Sequence, residues 1–88
     1  RDLALVVPES TPWAALEATL RQALGGLLRE VRLFDRYVGP GLDAGTKSLA
    51  MGLILQDVSR TLTDQDVEQA VTAAITALGA AHGARIRG

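Results

Sequence analysis

The chain has no cysteine, and only one residue each of histidine, methionine, tryptophan, tyrosine and phenylalanine among its 88. Without cysteine there are no disulfides, no thiolate metal sites and no cysteine nucleophile. The lone histidine, His82, has no second histidine or cysteine with which to share a metal. It is read as a surface or late-helix residue. Long apolar runs are missing as well, so no segment approaches the roughly 20 residues that cross a bilayer. No signal peptide is visible. A charge excess of one sign is also lacking: the formal net charge is −1, without the basic balance that often marks nucleic-acid binding. A chain this small that folds without disulfides is expected in the cytoplasm. It starts at Arg1 with no initiator Met and is read as a fragment of something longer.

What is present is a globular pattern. Apolar residues make up 48% of the chain and are spread along its whole length, as in a single folded domain. A domain of this size buries roughly 60–65% of the surface its unfolded chain exposes, so its stability is modest. The charges are unevenly placed. Arg1, Arg29, Arg32, Arg36, Lys47, Arg85 and Arg87 lie in or beside predicted strands, while Asp57, Asp64, Asp66 and Glu68 gather around the start of a helix. A sheet more basic than its helices suits RNA on the sheet. On charge alone, a solvated surface of mixed sign is the favoured reading.

Periodicity predicts six elements. Arg1 to Val7 alternates as a strand, with Leu3, Leu5 and Val7 on one side. Ser10-Thr11-Pro12 predicts a helix start, with a hydroxyl cap and Pro at the first helical position. Trp13, Leu16, Leu20, Leu24 and Leu27 then form one apolar stripe, ended by Gly25-Gly26. Leu28 to Val38 predicts a second strand, and Gly39 to Thr46 a loop. Lys47 to Asp57 predicts a third strand, with Leu49, Met51, Leu53 and Leu55 on a core face. Ser48, Ala50, Gly52, Ile54 and Gln56 share its other, smaller face. Thr63 predicts the cap of a second helix, with acids in its first turn and Val67, Val71, Ala74, Ile75 and Leu78 as its stripe. Ala84 to Arg87 predicts a short last strand.

The order β-α-β-β-α-β predicts an α+β, ferredoxin-like split βαβ fold, with a four-stranded antiparallel sheet and two helices on one face. The other face is left open. Catalytic chemistry finds no foothold in this sequence, and no metal site is expected. Gly39-Pro40-Gly41 lacks the Gly-Lys-Ser/Thr ending of a phosphate loop and leads into a strand. Asp64 and Asp66 are explained by capping.

Four segments carry a family likeness. Arg1-Asp2-Leu3-Ala4-Leu5-Val6-Val7, Leu33-Phe34-Asp35-Arg36-Tyr37 followed by Gly39, Lys47-Ser48-Leu49-Ala50, and Ser59-Arg60-Thr61-Leu62 occur in this order along nearly the whole chain. Together they resemble the ferredoxin-fold anticodon-binding domain, which closes the beta subunit of bacterial phenylalanyl-tRNA synthetases and the single-chain mitochondrial enzyme. Leu53-Ile54-Leu55-Gln56-Asp57 looks like the bacterial branch.

The resemblance implies that the open sheet face meets the anticodon stem-loop of tRNA(Phe), through Asp35, Tyr37 and Ser48. It implies RNA, not DNA or membrane, as the partner. It implies a parent ligase that uses ATP and Mg2+ and pairs with an alpha subunit, with no cofactor in the domain itself.

These roles are physically reasonable. RNA readers stack unpaired bases on aromatics and bond their edges. A guanine edge offers two adjacent donors that Asp35 can accept, Tyr37 offers a stacking face, and Ser48 can donate. Arg36 and Lys47 are expected to hold phosphates. Phe34 is expected in the core and Leu33 outside, unless a bulge intervenes, leaving Tyr37 as the one aromatic for stacking. Arg36 stands where the family usually has an aliphatic residue, and Gly52 where many members carry a basic one. The competing readings are a regulatory module or a protein-interaction module of the same topology that binds no RNA.

Overall fold

The computed structural model describes residues 1–87. The elements run β1 (Asp2–Pro8), α1 (Trp13–Leu24), a 3-10 turn (Gly25–Leu27), β2 (Leu28–Tyr37), β3 (Thr46–Leu55), α2 (Asp64–His82) and β4 (Arg85–Ile86). The strands form one sheet in the order β2-β3-β1-β4, and every pairing is antiparallel. This is the ferredoxin-like arrangement expected from the element order.

Register decides which side chains share a face. Leu3, Leu5 and Val7 of β1 lie opposite Met51, Leu49 and Lys47 of β3. On that side Leu5, Leu49, Met51 and Leu53 join Leu16, Leu20 and Leu24 of α1 and Ala70, Ala74 and Leu78 of α2 in one core. The alanines of α2 keep the helix close to the sheet, while Val67, Val71 and Ile75 are only half-buried. Among the described residues, no buried side-chain polar atom lacks a hydrogen-bond partner.

The helix ends differ from each other. Thr63 caps α2 in a reciprocal box: its hydroxyl accepts from the Asp66 N–H at 3.1 Å, and the Asp66 carboxylate accepts from the Thr63 N–H at 2.9 Å. α1 lacks the hydroxyl cap expected for it. Its N-cap position is Pro12, extended at φ −74° and ψ 148°, with no side-chain cap. Ser10 and Thr11 are held one step earlier, in a turn where the Thr11 N–H donates to the Pro8 carbonyl. His82, at the end of α2, is half-buried, and its Nε2 lies 2.8 Å from the Thr19 hydroxyl. It therefore ties the two helices together.

Candidate nucleic-acid interface

The helices leave the second face of the sheet open, and a bulge in β2 decides what stands on it. Leu33 lies opposite Met51 and Asp35 opposite Ala50, so Phe34 is an extra residue with no partner of its own. In a regular strand, Asp35 and Tyr37 would fall on the same side as Leu33, towards the helices. The extra residue shifts the alternation by one. Phe34, Asp35 and Tyr37 then all reach the open face, and Arg36 turns to the helix side opposite Leu49.

The expected placement of Phe34 in the core is therefore corrected. The residue is 59% exposed, and its ring lies over Gly52 on the open face. Leu33 takes the core-facing register instead and is left partly exposed at the edge strand. Two aromatics, not one, stand on the open face.

Tyr37 lies opposite Ser48, which lies opposite Val6. The Tyr37 hydroxyl donates to the Pro40 carbonyl at 2.7 Å. That return of the loop needs Gly39, whose φ is +148° and where an added Cβ would sit 3.2 Å from the Tyr37 hydroxyl oxygen. From the far edge, Arg87 bonds through its N–H to the Ala4 carbonyl, and its guanidinium stacks 5.0 Å from the centroid of the Tyr37 ring. The two side chains meet above the central strands, and beneath them Ser48 and Val6 are buried. Asp35 is exposed, and its carboxylate accepts from the Arg36 backbone N–H at 2.8 Å.

The expected phosphate holders are not brought to this face. Lys47 shares the helix side with Val7 and Leu49 and is only 8% exposed. Arg36 lies on the helix side and pairs with Glu9, just past the end of β1, at 3.6 Å. The open face draws its positive charge from Arg32, Arg85 and Arg87. Arg32 is engaged by Glu30, whose carboxyl is held below its ordinary range chiefly by that hydrogen bond. Arg85 reaches Asp43 of the β2–β3 loop at 3.4 Å. Arg85 and Arg87 line a polar hollow of about 480 Å3 between β4 and that loop. The alternation of Arg85 and Arg87 around Ile86 marks both arginines as sharing a face, a signal already present in the sequence.

Among the described residues, no group of acids or histidine is placed to hold a metal, and no helix is long and apolar enough to cross a membrane. The open face combines two aromatic rings, an exposed carboxylate, small residues beneath and arginines at the rim.

Comparison with known proteins identifies the family. The family model of the ferredoxin-fold anticodon binding domain matches residues 1–87. The phenylalanine–tRNA ligase beta subunit of Xanthomonas campestris pv. campestris (strain 8004) is 60% identical over 88 residues, all of this chain and 11% of that protein. The beta subunit of Xanthomonas oryzae pv. oryzae (strain MAFF 311018) is 60% identical over 87 residues, 99% of this chain and 11% of that protein. The Xylella fastidiosa (strain Temecula1) subunit is 55% identical over 87 residues, again 99% of this chain and 11% of that protein. The chain thus spans about a ninth of the length of these relatives, and it belongs to the ferredoxin-fold anticodon binding domain family.

Proposed function

We propose that the chain is the anticodon-binding domain of a phenylalanine–tRNA ligase beta subunit, and that its open sheet face holds the anticodon end of tRNA(Phe). The observation that carries this reading is the convergence of Asp35, Tyr37 and Ser48 on one uncovered face. Two of the three are there only because β2 is bulged.

Each residue has a distinct task. Asp35 accepts from the two adjacent donors of a guanine edge, and hydrogen bonds to a charged acceptor are the stronger kind. Tyr37 stacks the base. Ser48 donates to it once the Arg87 guanidinium lifts from the Tyr37 ring. Arg85 and Arg87 meet phosphates, a contribution that weakens as salt rises. Arg36, on the helix side beside Glu9, and Lys47, nearly buried, add only their charge.

The domain positions tRNA while aminoacylation occurs elsewhere in the enzyme. The parent ligase uses ATP and Mg2+, is assembled with an alpha subunit and works in the cytoplasm. Removing this domain from the ligase tests the division of labour. Aminoacylation of tRNA should weaken while phenylalanyl-adenylate formation is spared. Loss of adenylate formation in the truncated enzyme would overturn it.

A further inference from the structure

The ring of Phe34 has no place in the binding scheme above, yet it stands on the same face. It reaches over Gly52 so closely that a Cβ added there would lie 2.7 Å from its Cζ and 2.8 Å from its Cε2. Glycine inside a strand weakens the strand and marks a close approach by something else. Here the approaching group is an aromatic ring that remains 59% exposed. Ile54, two residues further along β3 on the same face, is 38% exposed. The two make a small apolar shelf at one end of the open face. Tyr37 and Arg87 hold the other end, and Asp35 lies between.

We propose that Phe34 is a second stacking platform, which takes an unpaired base of the same RNA other than the base held by Asp35 and Tyr37. This rests on the RNA reading given above and extends it. Spacing supports a separate base. Tyr37 stands at the level of Ser48 and Phe34 at the level of Gly52. Four residues of strand separate these levels, roughly 13 Å at about 3.3 Å per residue. Two rings that sandwich one base face to face stand only about 7–8 Å apart, twice the optimal carbon–carbon contact distance, so the two aromatics do not share one base.

The surroundings favour a base over an apolar side chain of a protein partner. Arg32 lies directly opposite Gly52, Asp2 comes within 3.3 Å of the position a Gly52 Cβ would take, and the shelf continues into Asp35. A flat apolar surface rimmed by charged groups suits a nucleobase, with its apolar faces, polar edges and charged backbone. Phe34 carries no hydrogen-bonding group. It therefore adds grip without reading identity, since every base presents a stacking face. Specificity stays with Asp35.

The test uses the chain and two RNA hairpins: the phenylalanine anticodon stem-loop, and the same hairpin with its first anticodon base changed from G to A. Phe34→Leu should weaken both by the same factor, roughly 5- to 150-fold, the range that base–aromatic stacking covers. The ratio between the two hairpins should be unchanged. Asp35→Asn should instead shrink that ratio. Hairpins carrying a single abasic nucleotide then locate the base. At one loop position other than the first anticodon base, the abasic hairpin should bind wild type and Phe34→Leu equally.

Wild-type affinity in Phe34→Leu overturns the proposal, as does a loss spread evenly over every abasic position. A melting temperature lowered by more than about 10 °C would make the ring a core element and also overturn it. If Tyr37→Leu weakens binding and Phe34→Leu does not, only the second platform fails. If wild type binds neither hairpin, the RNA reading fails and the platform with it.

Discussion

Replacing Gly52 by alanine separates the stability of the sheet from the use of its open face. The new methyl group would meet Phe34 Cζ at 2.7 Å and Cε2 at 2.8 Å, so something must move. The atoms that meet it are the far end of a side chain that is 59% exposed, so the ring swings and the backbone stays. Roughly two fifths of a side chain of about 200 Å2 is covered, on the order of 80 Å2, or about 2 kcal/mol of apolar burial. A partial swing gives up at most half, about 1 kcal/mol. Against this, alanine in a strand interior is favoured over glycine by roughly 0.5–1 kcal/mol. The net change in stability should stay within about 1 kcal/mol. With an unfolding entropy of about 2.1 cal/mol/K per residue, that is a melting shift of no more than about 5 °C in either direction. RNA affinity should nonetheless fall about fivefold or more, because the displaced ring no longer offers its face where the base arrives. Thermal melts by circular dichroism and a hairpin titration read the two effects separately. A melting temperature lowered by 10 °C or more would refute the reasoning, because it would mean that Phe34 is locked over Gly52 as part of the core.

Three further outcomes follow from the same geometry. Thr63→Ala should cost about 1 kcal/mol, read as a melting temperature lowered by about 5 °C, because one half of the capping box disappears. Stability should also fall in acid. The Asp66 carboxyl is held well below the usual carboxylate range, first by its Arg60 partner and then by the Thr63 N–H and hydroxyl. The folded state thus favours the charged form. Its contribution is complete above the ordinary carboxylate pKa near 4 and is lost as pH falls through the lower folded value. Asp66→Asn should flatten that part of a plot of melting temperature against pH. On the RNA side, Arg85→Ala should lower the slope of log K against log salt by about 1, while Arg36→Ala, which faces the helix side and pairs with Glu9, should change it little.

β3 is legible in the sequence because its alternation is unbroken. Leu49, Met51 and Leu53 are buried on one face as their spacing predicts, and the small residues between them line the other. Lys47 follows the same rule: its parity with Leu49 already places it on the helix side, and its charge is a poor guide to its direction. The capping box of α2 can also be read directly, since Thr63 and Asp66 stand at the spacing it requires.

β2 is different. A bulge inserts one residue without changing composition, and nothing in Leu33-Phe34-Asp35-Arg36-Tyr37 announces where the alternation slips. Partner register on β3 settles it, and register is a property of the folded sheet. Phe34, Leu33 and Arg36 all take their faces from that one shift. The Tyr37–Arg87 stack joins residues 50 positions apart in the chain, which no local pattern can bring together.

The most direct measurement of the central claim is an NMR titration of the chain with the phenylalanine anticodon stem-loop, beside the hairpin whose first anticodon base is A. Shifts should gather on Asp35, Tyr37, Ser48 and Arg87, with the α1 and α2 signals unmoved, and should weaken clearly when G becomes A. No shifts at millimolar RNA, or equal shifts with both hairpins centred on the helices, would contradict it.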